Sequence, residues 1–230
     1  HLGYEIANLP SVVKRYAIGR DLVGRAEERF IIDFYGLEER AARTQYPSLF
    51  QIVLDRVKPQ RDLVNREKTR DNFWIYAEPR SRMRSALEGL SRFVATCRTS
   101  KHRIFSFLDG DILADAKIIA IALEDASSLA IVSSSIHALW AMRTGAMLED
   151  RPNYNHSECF GKFPFPDPCD LARSALRDLG EELDATRKTV QAEHPDLTLT
   201  SLYNVLEKIR AGTPLDAKDQ NVKERGRVLI

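Results

Sequence analysis

Lysine and arginine side chains, which can bind phosphate groups, are concentrated in one part of the sequence. From Arg56 to Arg103 there are thirteen Lys or Arg residues and only five Asp or Glu residues, so this segment carries +8 while the rest of the chain carries −7. A basic segment within a nearly neutral chain is typical of a surface that binds a polyanion. The alternative is that acidic residues from elsewhere in the chain pair with these cations, and charge alone favours neither interpretation.

Motifs for catalysis or metal binding are weak. The sequence has no G-x-G-x-x-G, Walker, H-E-x-x-H or G-x-S-x-G pattern. Ser133–Ser135 stand beside His137, but serines at the start of a helix more often cap it. The acidic residues of 108–115 lack the Gly and Glu positions of an EF-hand loop, and His156 with Cys159 lacks the second pair that a zinc site needs. We therefore expect no catalytic residue, no metal and no cofactor in this chain.

The composition is that of a globular domain with a buried core. The 230 residues are 43% hydrophobic and 29% charged. The three cysteines are odd in number and widely spaced, which favours a reducing, cytoplasmic setting. No apolar run is long enough for a membrane-spanning helix, so no membrane partner is expected. The sequence begins without Met and without a signal-peptide pattern, and we expect it to be a fragment of a longer protein.

Strand-like and helix-like patterns alternate up to residue 168. The apolar and polar residues of 92–98 and 103–108 alternate as in half-buried antiparallel strands. Residues 116–123 form a denser apolar run that predicts a central strand, and residues 128–133 suggest a fourth strand. Helices are predicted over 37–57, with a break near Pro47, and from Pro79 through residue 90.

The stretch "FGKFPFPDP" (160–168) marks a change of pattern. Its prolines exclude a helix and disfavour a central strand, and we expect its three Phe residues to fold back onto the core. Beyond it, apolar or small residues recur at heptad-like spacing, which predicts a helical packing stripe. These positions are 172, 176, 179, 183, 186 and 190. The sequence thus predicts an α+β fold with a mixed, mainly antiparallel sheet and flanking helices over residues 1–168, followed by a small all-helical segment over 169–230.

Three stretches, in this order, resemble one known module. They are "GRDLVGRAEERFIIDF" (19–34), the segment 57–108 containing "NFWIYAEPRSRMRSALEGLSRFVATCRTSKHRIFSFL", and "SLAIVSSSIHALWAMRTGAMLEDRPNYNHSECFGKFPFPDP" (128–168). The module is the target-recognition domain of type IIL restriction–modification enzymes and of related phage-defence DNA methyltransferases. The segment after residue 168 resembles the family's C-terminal part less closely.

The resemblance implies a module for sequence-specific recognition of double-stranded DNA. The family's N-terminal catalytic domain binds S-adenosylmethionine and methylates adenine at an Asn-Pro-Pro-aromatic motif, and neither feature occurs in this chain. The resemblance therefore implies a second partner, the N-terminal methyltransferase domain of the same polypeptide. Whether this chain takes part in an enzyme thus depends on the rest of the parent protein.

Candidate DNA contacts follow from the family's function and from residue chemistry. Phosphate contacts are expected from a basic stretch and from two sites beyond it: Lys58, Arg61, Arg66, Lys68, Arg70, Arg80, Arg84 and His137. Base contacts are expected from the predicted hairpin turn and from a second polar loop: Thr99, Ser100, Lys101, His102, Arg103, Asn153 and Asn155. For each set the alternative is an ordinary polar surface, and His137 could equally be a buried structural histidine.

A different class of function fits the same features. The helical segment could dock a protein partner while the basic region holds an acidic one, which would make the chain a protein-interaction adaptor. The recognised DNA sequence is not encoded in residue spacing, because base choice depends on loop geometry.

Overall fold

The computed structural model describes residues 8–148 and 151–229. In chain order, its elements are β1 (Val13–Ala17), α1 (Gly19–Val23), β2 (Phe30–Ile32), α2 (Glu39–Gln45), α3 (Pro47–Arg56), α4 (Lys58–Asp62), α5 (Glu67–Asp71), α6 (Ser81–Leu87), β3 (Arg92–Cys97), β4 (Phe105–Asp109), β5 (Leu113–Ala114), β6 (Ile118–Ile121), α7 (Ala126–Ser133), α8 (Ser135–Thr144), β7 (Ala146–Leu148), β8 (Arg151–Asn153), a π-helical turn (His156–Phe160), α9 (Asp170–Glu193), α10 (Leu199–Arg210) and α11 (Ala217–Arg225).

The elements divide into two compact units. The first unit comprises the described residues up to 16 together with 29–86, and the second comprises 17–28 together with the described residues from 87 onward. The predicted α+β class is confirmed, with mostly antiparallel strand pairing and a helical C-terminal segment. The second unit extends across residue 168. The division into domains at 168 stays a prediction based on composition.

The first unit is built mainly from short helices around an aromatic core. Strands β1 and β2 pair antiparallel, with Lys14 opposite Ile31. The predicted break at Pro47 is confirmed, since α2 ends at Gln45 and Pro47 occupies the first turn of α3. The buried apolar cluster comprises Val12, Phe34, Ala42, Leu49, Phe50, Val53 and Phe73.

The second unit contains an antiparallel sheet in the order β4-β3-β6, whose apolar residues enter two different buried clusters. Strand β6 lies at an edge of this sheet, so the central position predicted for residues 116–123 is wrong. Its density of apolar residues has another cause. Ile119 and Ile121 pack into the cluster that includes Leu129 and Val132, whereas Ile118 faces the cluster that includes Leu22 and Phe93. Burial on both faces therefore mimics the pattern of a central strand.

Residues 128–133, predicted as a strand, lie in helix α7. Asp125 caps this helix by accepting a hydrogen bond from the Ser127 backbone N–H at 2.8 Å. Ala126, Leu129 and Val132 are buried at the three-residue spacing of a helix face. The capping residue lies just outside the apolar run, which explains why the run alone resembled a strand.

Helix α9 packs against the rest of the second unit with a face whose fully buried residues coincide with the predicted stripe at Val190. Its buried residues are Gly180, Asp184, Arg187 and Val190, while Leu179 is 57% exposed. The side chain of Asp184 accepts from the Phe107 N–H at 2.9 Å, and Arg187 donates to the Phe105 carbonyl at 2.8 Å. Two polar residues thus satisfy backbone groups along the outer edge of β4, a role that an apolar periodicity does not reveal.

The stretch 160–168 folds back as expected at two of its three Phe residues. Phe163 is buried and lies edge-on to His137, with ring centroids 4.4 Å apart. Phe160 packs against the main apolar cluster of the second unit. Phe165 is 39% exposed but contacts both other rings at 5.0 Å.

Candidate nucleic-acid interface

The turn predicted from "TSKHR" connects β3 to β4. Because β3 ends at Cys97 and β4 begins at Phe105, residues 99–103 lie at the end of the hairpin. Inside the turn, the Ser100 hydroxyl donates to the His102 carbonyl at 2.7 Å. This local hydrogen bond gives the turn a defined shape, and the antiparallel pairing of β3 with β4 confirms that it is a turn between two strands.

The turn is joined by backbone contacts to the second predicted loop. Thr99 and Asn153 form an antiparallel bridge. The Ser100 N–H donates to the Pro152 carbonyl at 3.3 Å, and the Tyr154 N–H donates to the Arg98 carbonyl at 2.7 Å. We call residues 99–103 and 151–155 together the paired-loop surface. The structure therefore brings all seven predicted base-contact residues into one region of the second unit.

The guanidinium of Arg103 is directed into the protein. It donates to the carbonyls of Cys97 and Pro152 and to the Thr96 hydroxyl, and its carbon lies 5.0 Å from the centre of the Tyr154 ring. Burial lowers the pKa of Arg103. The fork that would read guanine is occupied by the protein's own acceptors, so the expected base contact is corrected: Arg103 holds the two loops of the paired-loop surface together.

Lys101 and His102 are directed toward helix α10. The Asn204 side-chain oxygen lies 2.7 Å from Lys101 Nζ and 2.8 Å from His102 Nε2. Glu207 pairs with Lys101 at 3.0 Å, and these two side chains are 62% and 54% exposed. The His102 ring rests near the Tyr203 ring at 5.9 Å. Lys101, the exposed cation of the turn, thus already contacts two side chains of helix α10.

The two asparagines of the paired-loop surface have different environments. Asn155 caps the π-helical turn, because its side-chain oxygen accepts from the Ser157 N–H at 3.0 Å and from the Ser157 hydroxyl at 2.7 Å. Its oxygen therefore serves the local turn. In Asn153, the side-chain oxygen is buried and accepts no hydrogen bond from any described residue.

His137 lies in the core and not on the surface. It is 0% exposed, and its Nε2 lies 2.9 Å from the Tyr154 hydroxyl. Burial, followed by the nearby charge of Arg103, lowers the pKa of His137 to about 4. A buried neutral imidazole does not reach a phosphate, so the expected phosphate contact is corrected in favour of the structural alternative.

Most predicted phosphate contacts lie on the short helices α4 and α5 of the first unit and near them. Lys58 pairs with Asp62 at 2.7 Å, Arg66 lies 3.6 Å from Glu78, and Arg70 lies 3.4 Å from its neighbour Asp71. Lys68 and Arg61 form no ion pair with any residue that the structure describes. Exposed pairs of this kind are weak and exchange readily with other anions.

Arg80 and Arg84, both of which fall within the helix predicted from Pro79, have different environments. Helix α6 begins at Ser81, and Arg80 precedes it with a positive φ of 53°. Arg84 forms a bidentate ion pair with the buried Asp33, at 2.6 and 3.2 Å, and donates to the Pro79 carbonyl. Arg84 is therefore a structural arginine of the first unit, and the expected phosphate contact is corrected.

The described residues give no metal-binding cluster and no helix suited to cross a membrane. Within residues 8–148 and 151–229, no three His, Cys, Asp or Glu side chains are grouped to hold an ion. None of the helices in these ranges is long and apolar enough to span a bilayer. Cys97 and Cys159 are buried, and burial raises the pKa of Cys97 to about 11, which disfavours its reactive thiolate form.

Residue spacing did not reveal the part that α10 plays beside the turn. Asn204 and Glu207 lie more than one hundred residues after Lys101 in the sequence. The sequence signal for their role is indirect. Leu199, Leu202 and Val205 mark the buried face of α10, so Asn204 and Glu207 fall outside it.

The chain matches a known family over most of its length. The family model described as "MmeI, target recognition domain" matches residues 5–167. No curated protein matches the chain. Among solved structures, the chain is similar to the type IIL restriction–modification enzyme MmeI in complex with DNA, with a TM-score of 0.63 and 16% sequence identity.

That structural match covers 96% of this chain and 28% of the MmeI chain, so this chain spans about a quarter of the length of that protein. At such low identity the likeness shows a shared fold, which includes the helical segment after residue 168. The family match over residues 5–167 establishes the relationship. The chain belongs to the MmeI target recognition domain family.

Proposed function

We propose that this chain is the sequence-specific double-stranded DNA recognition module of a larger S-adenosylmethionine-dependent N6-adenine DNA methyltransferase. The observation that carries the proposal is the match to a target recognition domain over residues 5–167. In this proposal S-adenosylmethionine binds the N-terminal methyltransferase domain, outside this chain. The parent enzyme serves restriction–modification or phage defence in the bacterial cytoplasm, and it extrudes the target adenine from the duplex before methyl transfer.

Within this proposal, one group of residues binds phosphates and a second group reads base edges. The cations on and around α4 and α5 bind phosphates without regard to sequence, and these are Lys58, Arg61, Arg66, Lys68, Arg70 and Arg80. Base edges in the major groove are read by the paired-loop surface, through Thr99, Ser100, Lys101, His102, Asn153 and Asn155. The backbone hydrogen bonds between the two loops support this assignment, because a reading surface must hold its side chains in a fixed arrangement.

The test is a titration of the chain with labelled duplex DNA by fluorescence anisotropy. We expect log K to fall linearly with log[KCl] between about 50 mM and about 200 mM, with a slope of about −0.9 for each phosphate contact. Selection from a random duplex pool should then enrich one sequence, and the full-length protein should methylate adenine in that same sequence. Absence of binding at the lowest salt, or a flat salt dependence, would overturn the proposal for this chain.

A matched pair of variants separates phosphate contact from general charge. Lys68→Ala should weaken binding to all sequences alike and reduce the magnitude of the salt slope by about 0.9. Arg43→Ala is the control, since Arg43 is an exposed cation of the same unit outside the candidate set. Equal effects of the two variants would contradict the specific role of α5. Light scattering that shows a stable oligomer, in a chain without DNA affinity, would favour the adaptor function instead.

A further inference from the structure

Helix α10 contacts the paired-loop surface through polar side chains on a single face. The Asn204 side-chain oxygen receives both Lys101 Nζ, at 2.7 Å, and His102 Nε2, at 2.8 Å. An ammonium group only donates, which assigns the oxygen of the Asn204 amide, and not its nitrogen, to this position. His102 must then donate from Nε2. One acceptor thus fixes two adjacent side chains of the turn.

The acidic residue one turn further along α10 neutralises the charge of the turn. Glu207 Oε2 lies 3.0 Å from Lys101 Nζ. Lys101 lowers the pKa of Glu207 by hydrogen bonding, and nearby His102 adds to the effect, so Glu207 is ionised at neutral pH. Both residues line a cleft of about 900 Å³, which gives the Lys101 side chain space to leave its partner.

These polar contacts are not what holds α10 in place. Leu199, Leu202 and Val205 are at most 1% exposed and pack with Val190, Leu197 and Val222. Ile104, the residue that follows the turn, lies in the same cluster. Because the helix is anchored by buried apolar area, the loss of Asn204 or Glu207 should leave the fold intact.

We propose that helix α10 sets the selectivity of the base-reading turn: Asn204 is a positioning residue for Lys101 and His102, and Glu207 suppresses non-specific DNA binding by engaging Lys101. This inference rests on the proposed DNA-recognition function.

Selectivity is the difference between the affinities for specific and for non-specific DNA. A free ammonium group at the end of a hairpin contacts any phosphate and releases a counterion, which strengthens binding to every sequence equally. With Glu207 in place, a phosphate must displace the carboxylate from Lys101 and approach its negative charge. A base edge that offers neutral acceptors, such as guanine O6 and N7, does not meet that repulsion. The acid thus penalises the wrong partner more than the right one.

The first experiment compares Glu207→Gln with Asp196→Asn in the full chain. Asp196 is a matched control, because it is also an exposed carboxylate of the helical segment paired with a cation, Arg225, at 2.5 Å. Non-specific duplex affinity is measured over a range of KCl concentrations. Glu207→Gln should bind about threefold more tightly at low salt and steepen the slope by about 0.9, as for one added phosphate contact. Asp196→Asn should change neither quantity to that extent.

The gain should depend on Lys101. In the double variant Lys101→Ala with Glu207→Gln, the increased affinity and the steeper slope should both disappear. If Glu207→Gln behaves like Asp196→Asn, the inference is overturned while the proposed function stands. If wild-type chain shows no salt-dependent DNA binding, it is the proposed function that fails.

The second experiment tests the positioning role of Asn204. Asn204→Ala should lower the ratio of specific to non-specific affinity about tenfold, within the discrimination that one good base contact provides, while the salt slope and melting temperature stay unchanged. Asn204→Asp retains the acceptor oxygens and should restore the ratio. Failure of Asn204→Asp to restore it, with the melting temperature unchanged, would show that Asn204 does not act by positioning Lys101 and His102.

Discussion

Arg103 is expected to contribute to stability more than to base recognition. Its guanidinium donates to two backbone carbonyls and one hydroxyl, and Arg103→Ala removes these three charge-assisted hydrogen bonds from a half-buried site. We expect the free energy of unfolding to fall by about 2 kcal/mol or more, measured by urea denaturation. Arg103→Lys should restore little, because an ammonium group cannot reproduce the planar fork of donors.

The matched control is Arg143→Ala, which removes an exposed arginine of α8 in the same unit and should change stability by less than about 0.5 kcal/mol. If Arg103→Ala instead keeps full stability and changes only the selected DNA sequence, then the guanidinium leaves its carbonyl partners to read a base. The position of the turn was predictable from the alternating strands on either side. The inward direction of Arg103 was not, because its partner Pro152 lies 49 residues further along the chain.

At the scale of elements, the contact between α9 and α7 depends on a glycine. A Cβ atom at Gly180 would lie 2.0 Å from the carbonyl oxygen of Ala126, the first residue of α7. Gly180→Ala should therefore lower the melting temperature, since overpacking costs about 1–3 kcal/mol and outweighs the gain in helix propensity of about 1 kcal/mol. The control Ser174→Ala, on the exposed side of α9, should be neutral or slightly stabilising. A higher melting temperature for Gly180→Ala would contradict the close packing.

The same element shows why its buried face escaped prediction. The heptad-like stripe correctly indicated a long helix, and α9 runs for 24 residues. Its contact with the sheet edge, however, is made by Asp184 and Arg187, which bind backbone groups of β4. Apolar periodicity identifies faces that bury hydrocarbon, and it gives no signal where a helix buries hydrogen-bonding groups. The capping contact of Asp125 at α7 escaped prediction for a similar reason.

At the scale of the whole molecule, the fold class and the family followed from the sequence, whereas the compact units did not. Residues 17–28 join the second unit, although the residues on both sides of them belong to the first. One reason is visible at Cys97, whose thiol donates to the Gly19 carbonyl at 3.0 Å. Local patterns predict elements well, but they do not report which distant segments complete a core.

The helical segment should be required for the second unit to fold. In a chain that ends at Pro168, the outer edge of β4 loses the side chains of Asp184 and Arg187, and Ile104 loses the apolar cluster supplied by α9, α10 and α11. An unpaired edge strand beside exposed apolar surface favours aggregation. We expect this shorter chain to elute as aggregates in size-exclusion chromatography and to lack a cooperative melting transition for the second unit. Co-expression with residues 169–230 should restore both properties. If the shorter chain instead unfolds cooperatively and binds DNA as the full chain does, the boundary at residue 168 separates two independent domains.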